Sequence, residues 1–182
     1  NVTVTSGAAD AGSDVSYCSG DSVQIGTAAV PGYSYSWYPA LGLINTSVPT
    51  PTITLTNTEQ GPASFSYIVT ATSSTCISKD TMYVTVNPVL SAEFTASSPS
   101  CAGQAVTITY SHPNDPLAST IFTWDFAGGN VLSGSGQGPY TVVWSSAGTK
   151  DMKLTVSEYG CVSSQNIVPV TVTPLPSAAF TA

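Results

Sequence analysis

Four cysteines are the residues whose type and spacing most directly suggest chemistry. Cys18, Cys76, Cys101 and Cys161 are widely separated in a chain of 182 residues. Zinc sites usually take two of their ligands from a short motif such as Cys-x-x-Cys, and the spacing here offers none. Cysteines in a small, polar chain instead favour disulfides formed in an oxidising compartment. We therefore expect disulfide bonds, no metal site of fixed spacing and no cofactor.

A single histidine, His112, is the residue best suited to general-base catalysis at neutral pH. It follows Ser111 and precedes Pro113, and a Ser/His/Asp arrangement would support acyl transfer. A triad is a spatial arrangement that also requires an oxyanion hole, and serine is abundant throughout the chain. Because turn residues surround the histidine, a loop position is the simpler interpretation. We expect no catalytic site and no enzymatic activity.

Carboxylates and aromatic rings are the remaining candidates for ligand binding. Loop carboxylates can bind calcium, and Asp115 and Asp125 are weak candidates for this role because no spacing motif connects them. Aromatic rings exposed on a strand can stack on sugars. Tyr38, Tyr140 and Trp144 are the candidates for such a contact.

The composition excludes several classes of partner. Only 7% of residues are charged, three of them are lysines, none is arginine, and the net charge is -7. Phosphate neutralisation by clustered basic residues is therefore absent, and we expect no nucleic-acid partner. No run approaches the roughly 18 apolar residues of a spanning helix, so we expect no membrane insertion. Asn1 begins in a strand-like run without a signal peptide, and we expect a segment internal to a longer precursor or its mature form.

The chain contains an internal repeat. The run 86–96 recurs at 172–182, an offset of 86 residues (172 − 86). The cysteines follow nearly the same period, with separations of 83 residues (101 − 18) and 85 residues (161 − 76). These offsets predict domains at 1–88 and 89–175, with 176–182 opening a further repeat. Proline at the junction and the lack of a Gly/Ser tether favour a stiff connection.

Alternating short strands predict the fold of each repeat. Val and Thr favour strands, whereas Gly and Pro occur at turns. The fold class is therefore all-β, with two tandem immunoglobulin-like sandwiches arranged end to end. Trp37 and Trp124 fall on the third strand of their repeats, where a sandwich core commonly holds a large aromatic residue. The predicted strands are 14–18, 22–26, 34–38, 52–56, 64–72 and 81–87 in the first repeat, and 93–96, 105–110, 121–126, 140–144, 150–157 and 166–173 in the second.

Several of these runs resemble known families. The run 121–129, Ile-Phe-Thr-Trp-Asp-Phe-Ala-Gly-Gly, resembles the PKD-domain signature Trp-Asp-Phe-Gly-Asp-Gly, although Ala127 and Gly128 replace the turn residues. The run 146–156 resembles the same family's Pro-Gly-x-Tyr-x-Val-x-Leu-x-Val strand. The runs 10–23 and 37–43 resemble phrases of Ig-like repeats in very large Bacteroidota surface proteins.

The resemblance implies an extracellular, cell-surface location and export through the outer membrane by the type IX secretion system. It implies a structural or adhesive stalk segment of an adhesin or gliding-motility filament. The alternative it leaves open is an accessory, carbohydrate-binding module of a secreted hydrolase. The implied partners are neighbouring repeats, surface glycans or other copies in a filament. Ser22 and Thr81 match the Asp-Ser/Thr-aliphatic pattern of O-glycosylation in these bacteria.

Two disulfide pairings remain open from the sequence. One is in-domain, Cys18 with Cys76 and Cys101 with Cys161. In ordinary sandwich topology, however, the turn entering the second strand and the last hairpin lie at opposite ends, roughly 23 Å apart along a seven-residue strand. Bridged Cα atoms lie at most about 7 Å apart. The other pairing is Cys18–Cys161 across the junction, which leaves Cys76 and Cys101 for neighbouring repeats.

Overall fold

A computed structural model describes residues 7–59, 61–97, 100–111 and 119–177. The chain divides into two compact units, Asn1–Val89 and Leu90–Ala182. Within the described parts every regular element is a β-strand, and none of these residues forms a helix long and apolar enough to cross a membrane. His112, Asp115 and most of the run 176–182 lie outside the described residues.

Unit 1 folds as two sheets. The larger sheet has the order β1-β6-β5-β3, and the smaller pairs β2 with β4. Strand β1 runs parallel to β6, whereas the other paired strands are antiparallel. The strands are β1 (Val15–Cys18), β2 (Ser22–Gln24), β3 (Ser34–Tyr38), β4 (Thr52–Thr54), β5 (Ala63–Thr72) and β6 (Ile77–Asn87).

The core of unit 1 follows from the alternation along its strands. Successive side chains on a strand point to opposite faces, so the inward positions of β5 are Tyr67, Val69 and Ala71, all fully buried. The intervening positions are Ser, Ile and Thr, and they are half-buried or exposed. Trp37 on β3 packs into the same cluster with 3% of its surface exposed, as predicted for the third strand.

Unit 2 also folds as two sheets, and it has more strands than unit 1. One sheet has the order β11-β12-β9-β7 and the other β10-β13-β15-β8, with β14 also paired to β13. Strand β8 runs parallel to β15 in the way that β1 runs parallel to β6. The strands are β7 (Phe94–Ala96), β8 (Ser100–Cys101), β9 (Ala105–Tyr110), β10 (Ile121–Asp125), β11 (Asn130–Ser133), β12 (Tyr140–Val143), β13 (Gly148–Glu158), β14 (Cys161–Val162) and β15 (Asn166–Thr173).

An aromatic cluster fills part of the core of unit 2. Trp124 meets Phe94 edge-on, with ring centroids 5.1 Å apart, and stacks on Phe126 at 5.7 Å. Tyr140 packs against Phe126 at 4.9 Å. Its hydroxyl and the Trp124 indole N–H both donate to the carbonyl of Gly136. Edge-to-face and offset ring pairs of this kind add specific geometry to apolar burial.

A buried asparagine closes the end of unit 1 from which the chain leaves. The Asn57 side chain is 3% exposed, and its Nδ2 donates to the carbonyls of Gly61 and Val86, both at 2.8 Å. Its Oδ1 accepts from the backbone N–H of Glu59. This one side chain therefore ties the loop after β4 to strand β6.

Replacing Asn57 by alanine is expected to lower the free energy of unfolding of unit 1 by about 2–4 kcal/mol, because the buried carbonyl of Val86 and the half-buried carbonyl of Gly61 lose their donor. Urea unfolding followed by NMR signals of unit 1 measures this change. Asn45→Ala is the matched control within unit 1, since Asn45 and its hydrogen bond are exposed and its loss should cost less than about 1 kcal/mol. Equal effects of the two variants would contradict the role assigned to Asn57.

Candidate functional site

The four cysteines do not have the oxidation states that the in-domain pairing requires. Cys18 and Cys161 are disulfide-bonded, whereas Cys76 and Cys101 are free thiols. The in-domain alternative, which needs Cys76 and Cys101 as partners, is therefore not formed. The reason is distance. Cys76 directly precedes β6 and Cys18 lies opposite Asn87, the last residue of that strand, so about 36 Å of extended chain separates them.

Cys18 and Cys101 occupy the same place in their units, and we call them the turn cysteines. Each ends a short strand that pairs in parallel with the final strand, Cys18 opposite Asn87 and Cys101 opposite Thr173. In each case the residue after the cysteine donates its N–H to that opposite residue's carbonyl, at 3.0 Å and 2.9 Å respectively. Both cysteines therefore lie where the chain leaves its unit.

The turn that begins at each of these cysteines is also the same. The second residue after the cysteine is a glycine with positive φ, +88° at Gly20 and +82° at Gly103, a region that favours glycine because it has no Cβ. The Gly20 N–H donates to the Leu55 carbonyl at 2.9 Å, and the Gly103 N–H to the Trp144 carbonyl at 2.8 Å. This shared pattern positions the two cysteines identically.

Cys76 and Cys161 form a second equivalent pair, and we call them the hairpin cysteines. Each ends the connection that follows a long strand: Cys161 comes directly after the two-residue turn 159–160, and Cys76 is the last of the four residues 73–76 between β5 and β6. Cys76 accepts a backbone hydrogen bond from Ser73 at 2.8 Å, and Cys161 pairs with Glu158. The turn before Cys161 has positive φ at both of its residues, the geometry that suits tight hairpins.

The hairpin cysteines lie at the end where the chain enters each unit. In unit 1 the Ala9 N–H donates to Oγ of Ser78, two residues beyond Cys76. In unit 2 the Asn166 side chain donates to the carbonyl of Ala92, near the start of the unit. Each unit thus has an entry pole, bearing its hairpin cysteine, and an exit pole, bearing its turn cysteine.

The aromatic candidates separate into one exposed and two buried residues. Tyr38 is 74% exposed, but Tyr140 is 9% and Trp144 3% exposed. The prediction that Tyr140 and Trp144 are available for ligand contact is therefore wrong. Tyr140 and Val142 are the inward positions of β12, and Trp144 continues their alternation, so all three face the core. The Trp144 indole N–H donates to the carbonyl of Phe126.

The other predicted side chains are dispersed. Ser22 on β2 and Thr81 on β6 are exposed hydroxyls. Asp125 is exposed, lies 3.8 Å from the Lys153 ammonium and accepts from the Ala127 N–H. Among the described residues no group of three or more His, Cys, Asp or Glu side chains could hold a metal ion.

Two tyrosines, the buried Tyr67 in unit 1 and the half-buried Tyr110 in unit 2, make the stability of both units sensitive to alkaline pH. Burial, with a smaller effect of Tyr17, raises the pKa of Tyr67 to about 12. Burial, with smaller effects of Glu158 and Glu93, raises the pKa of Tyr110 to about 12. The Tyr67 hydroxyl donates to the Leu41 carbonyl at 2.6 Å, a bond that requires the proton.

Stability is therefore expected to fall as the pH rises above about 10. The unfolded chain loses these protons near the ordinary pKa of 10 while the folded chain keeps them until about 12, so the unfolded state binds fewer protons between these values. Urea unfolding at pH 9, 10 and 11 measures the decline. Tyr67→Phe should reduce the fall in the free energy of unfolding with pH for unit 1 only. If that fall were unchanged in unit 1, Tyr67 would not be a cause of the pH dependence.

Comparisons with known proteins agree with the sandwich architecture. No protein-family model and no curated protein sequence matches the chain. Among solved structures, extracellular domains 3–5 of Drosophila OTK match 90% of the chain with a TM-score of 0.52 and 13% identity. An ICAM-5 D1–D4 ectodomain fragment matches 93% of it with a TM-score of 0.57 and 14% identity. The chain spans 60% and 48% of the lengths of these two structures.

The strand orders, the parallel pairing of β1 with β6 and of β8 with β15, and these similarities define the fold class of the protein. The chain is a tandem of immunoglobulin-like β-sandwich domains. At this level of identity the similarity concerns the fold alone.

Proposed function

We propose that the chain is a structural repeat segment of an extracellular surface protein, and that disulfides at the junctions between its repeats make it a stiff stalk. One observation carries the proposal. The bonded cysteines are the turn cysteine of unit 1 and the hairpin cysteine of unit 2, while both in-domain partners are free. The proposed bond is Cys18–Cys161, from the exit pole of one repeat to the entry pole of the next.

Such a bond would restrict the junction because it adds a second covalent connection. The first is the peptide chain itself, which passes from unit 1 to unit 2 at Val89 and Leu90. A junction with one flexible connection can swivel, whereas a disulfide holds its two Cα atoms about 4.4–6.8 Å apart. Pro88 further limits the backbone because its ring fixes φ.

The proposed location is the cell exterior. Disulfides persist in oxidising compartments and are rare in reducing ones, and the chain has little charge for its size. The resemblance to Bacteroidota surface repeats favours export through the outer membrane and a place in an adhesin or gliding filament. Neighbouring repeats of the same protein are the proposed partners. Surface glycans, or other copies of the protein in a filament, would bind to the assembled stalk.

The structural role is favoured over a carbohydrate-binding role by the aromatic residues. Sugar-binding surfaces stack rings on exposed aromatic side chains. Of the three candidates only Tyr38 is exposed, so the predicted candidates supply a single ring, on β3. The cysteines, in contrast, recur with the repeat and occupy equivalent positions at both poles.

NMR relaxation tests the proposed stiffness. With the bond intact, backbone ¹⁵N relaxation should report one rotational diffusion tensor common to both units. Cys18→Ser should shorten the apparent correlation time of each unit, because the units then reorient separately. Cys76→Ser is the matched control, since it removes a thiol that is already free, and it should leave the tensor unchanged. Identical relaxation in the wild type and Cys18→Ser would overturn the proposal.

A further inference from the structure

We propose that the two free thiols are complementary halves of a link between repeats, so that Cys76 bonds the turn cysteine of a preceding repeat and Cys101 bonds the hairpin cysteine of a following one. The inference rests on the proposed function, which it extends to named partners and a fixed direction. Its consequence is that copies of this chain can join only head to tail.

The first support is the structural equivalence of bonded and free positions. Cys101 has the strand pairing, glycine turn and hydrogen bonds of Cys18, which is bonded. Cys76 has the hairpin position of Cys161, which is also bonded. Each free thiol therefore occupies a site that carries a disulfide in the other unit.

The second support is an exposed apolar residue beside each cysteine. Each hairpin cysteine is followed by a β-branched aliphatic side chain, Ile77 at 69% and Val162 at 66% exposure. Near the exit poles there is a second equivalent pair of exposed aliphatic residues, Val89 at 57% and Leu175 at 63% exposure. The two poles that bear the free thiols therefore each also expose an aliphatic side chain, Ile77 at one and Leu175 at the other.

Both free thiols are accessible to such a partner. Cys76 is exposed at the tip of the hairpin between β5 and β6, and Cys101 is half-buried. The Thr173 hydroxyl lies 3.4 Å from Sγ of Cys101. Because the two thiols lie at opposite poles of different units, the contact is heterologous. A heterologous contact that does not close into a ring propagates as a linear array.

The bond forms by two thiol–disulfide exchanges with a low-molecular-weight disulfide oxidant. The thiolate of Cys76 attacks the oxidant, forms a mixed disulfide and releases one oxidant thiolate. The thiolate of Cys101 from a second copy then attacks the Cys76 sulfur and releases the other thiolate. Two thiols are oxidised to one disulfide, the oxidant takes the two electrons, and the two protons go to solvent or to the released thiolates.

A complementation experiment tests this pairing. Cys76→Ser and Cys101→Ser chains are each incubated with glutathione disulfide, alone and as a mixture, and resolved without reduction. Each variant alone should remain largely monomeric, the mixture should give a discrete dimer, and the wild type should give a ladder in steps of 18.6 kDa. Peptide mapping of the ladder should recover Cys76–Cys101 links at least tenfold over either homotypic link.

The outcomes separate this inference from the proposed function. Random collision of two equally reactive thiols would give heterotypic links only about twice as often as each homotypic one, and that result would overturn the inference. A mixture that stays monomeric would overturn it as well. Both results leave the proposed function standing if the same maps contain a Cys18–Cys161 peptide, whereas absence of that peptide would reject both.

Discussion

Reducing the disulfide is expected to increase the extension of the chain under force by about 50 nm. If Cys18 is bonded to Cys161, force applied to the two ends passes through this bond and bypasses the chain between them, a separation of 143 residues (161 − 18). Most residues of both sandwich cores are within that bypassed segment. After reduction the same residues can unfold and extend at roughly 3.3–3.6 Å each. The stalk would then change from a nearly inextensible connection to one that yields by domain unfolding.

Single-molecule force spectroscopy with handles at the two ends measures this difference. Without reductant no unfolding step should occur within the bypassed segment, and with reductant two steps should appear, one for each unit. Cys161→Ser should show both steps in either condition, and Cys101→Ser should behave as the wild type. Two full unfolding steps from oxidised wild-type protein would show that the bond does not span the two units.

Replacing Trp37 by alanine is expected to lower the free energy of unfolding of unit 1 by about 3–5 kcal/mol. Trp37 is 3% exposed, and its indole N–H donates to the Val48 carbonyl at 3.0 Å. A Cβ added to Gly26 would come within 2.8 Å of its ring, so the ring is packed directly against the backbone there. The substitution would leave a large cavity and an unpaired carbonyl together.

A loss of this size is large against the 5–15 kcal/mol that stabilises a typical domain. Thermal unfolding should therefore show unit 1 melting roughly 12 °C or more below its wild-type midpoint, with unit 2 unchanged. Tyr38→Ala is the matched control, because Tyr38 is the next residue on β3 and is 74% exposed. If Tyr38→Ala destabilised unit 1 as much as Trp37→Ala, the assignment of Trp37 to the core would be wrong.

The strands with strong alternation were predictable from the sequence. The predicted ranges 34–38 and 166–173 coincide with β3 and β15, because each alternates clearly and is bounded by turn residues. Strand β11 was missed. All four of its residues are exposed, so neither face carries the apolar pattern that identifies a strand, and only its pairing with β12 defines it.

The aromatic residues show why burial is harder to predict than strand position. The predicted strand 140–144 matches β12 up to Val143, and Trp144 comes directly after it, but which face of that strand is inward depends on its pairing with β9. A shift of one residue in that pairing would exchange the two faces. In the same way, the parallel pairing of β1 with β6 is a long-range contact without a local signal, although it fixes where Cys18 lies.

The cysteine spacing, in contrast, already limited the pairing. Repetition of the cysteines with the domains indicated that one kind of bond recurs, and the length of a strand argued against closing it within a domain. The structure adds which two cysteines are bonded, and in it the poles that bear them have equivalent hydrogen bonds from one unit to the next.

Peptide mapping of the oxidised chain, digested without reduction and with free thiols blocked at low pH, decides whether a disulfide joins the two repeats. We expect one disulfide-linked peptide pair joining Cys18 to Cys161, with Cys76 and Cys101 recovered as blocked thiols in monomeric protein. Linked peptides joining Cys18 to Cys76 and Cys101 to Cys161 would contradict it, because the disulfides would then stabilise single domains rather than connect them.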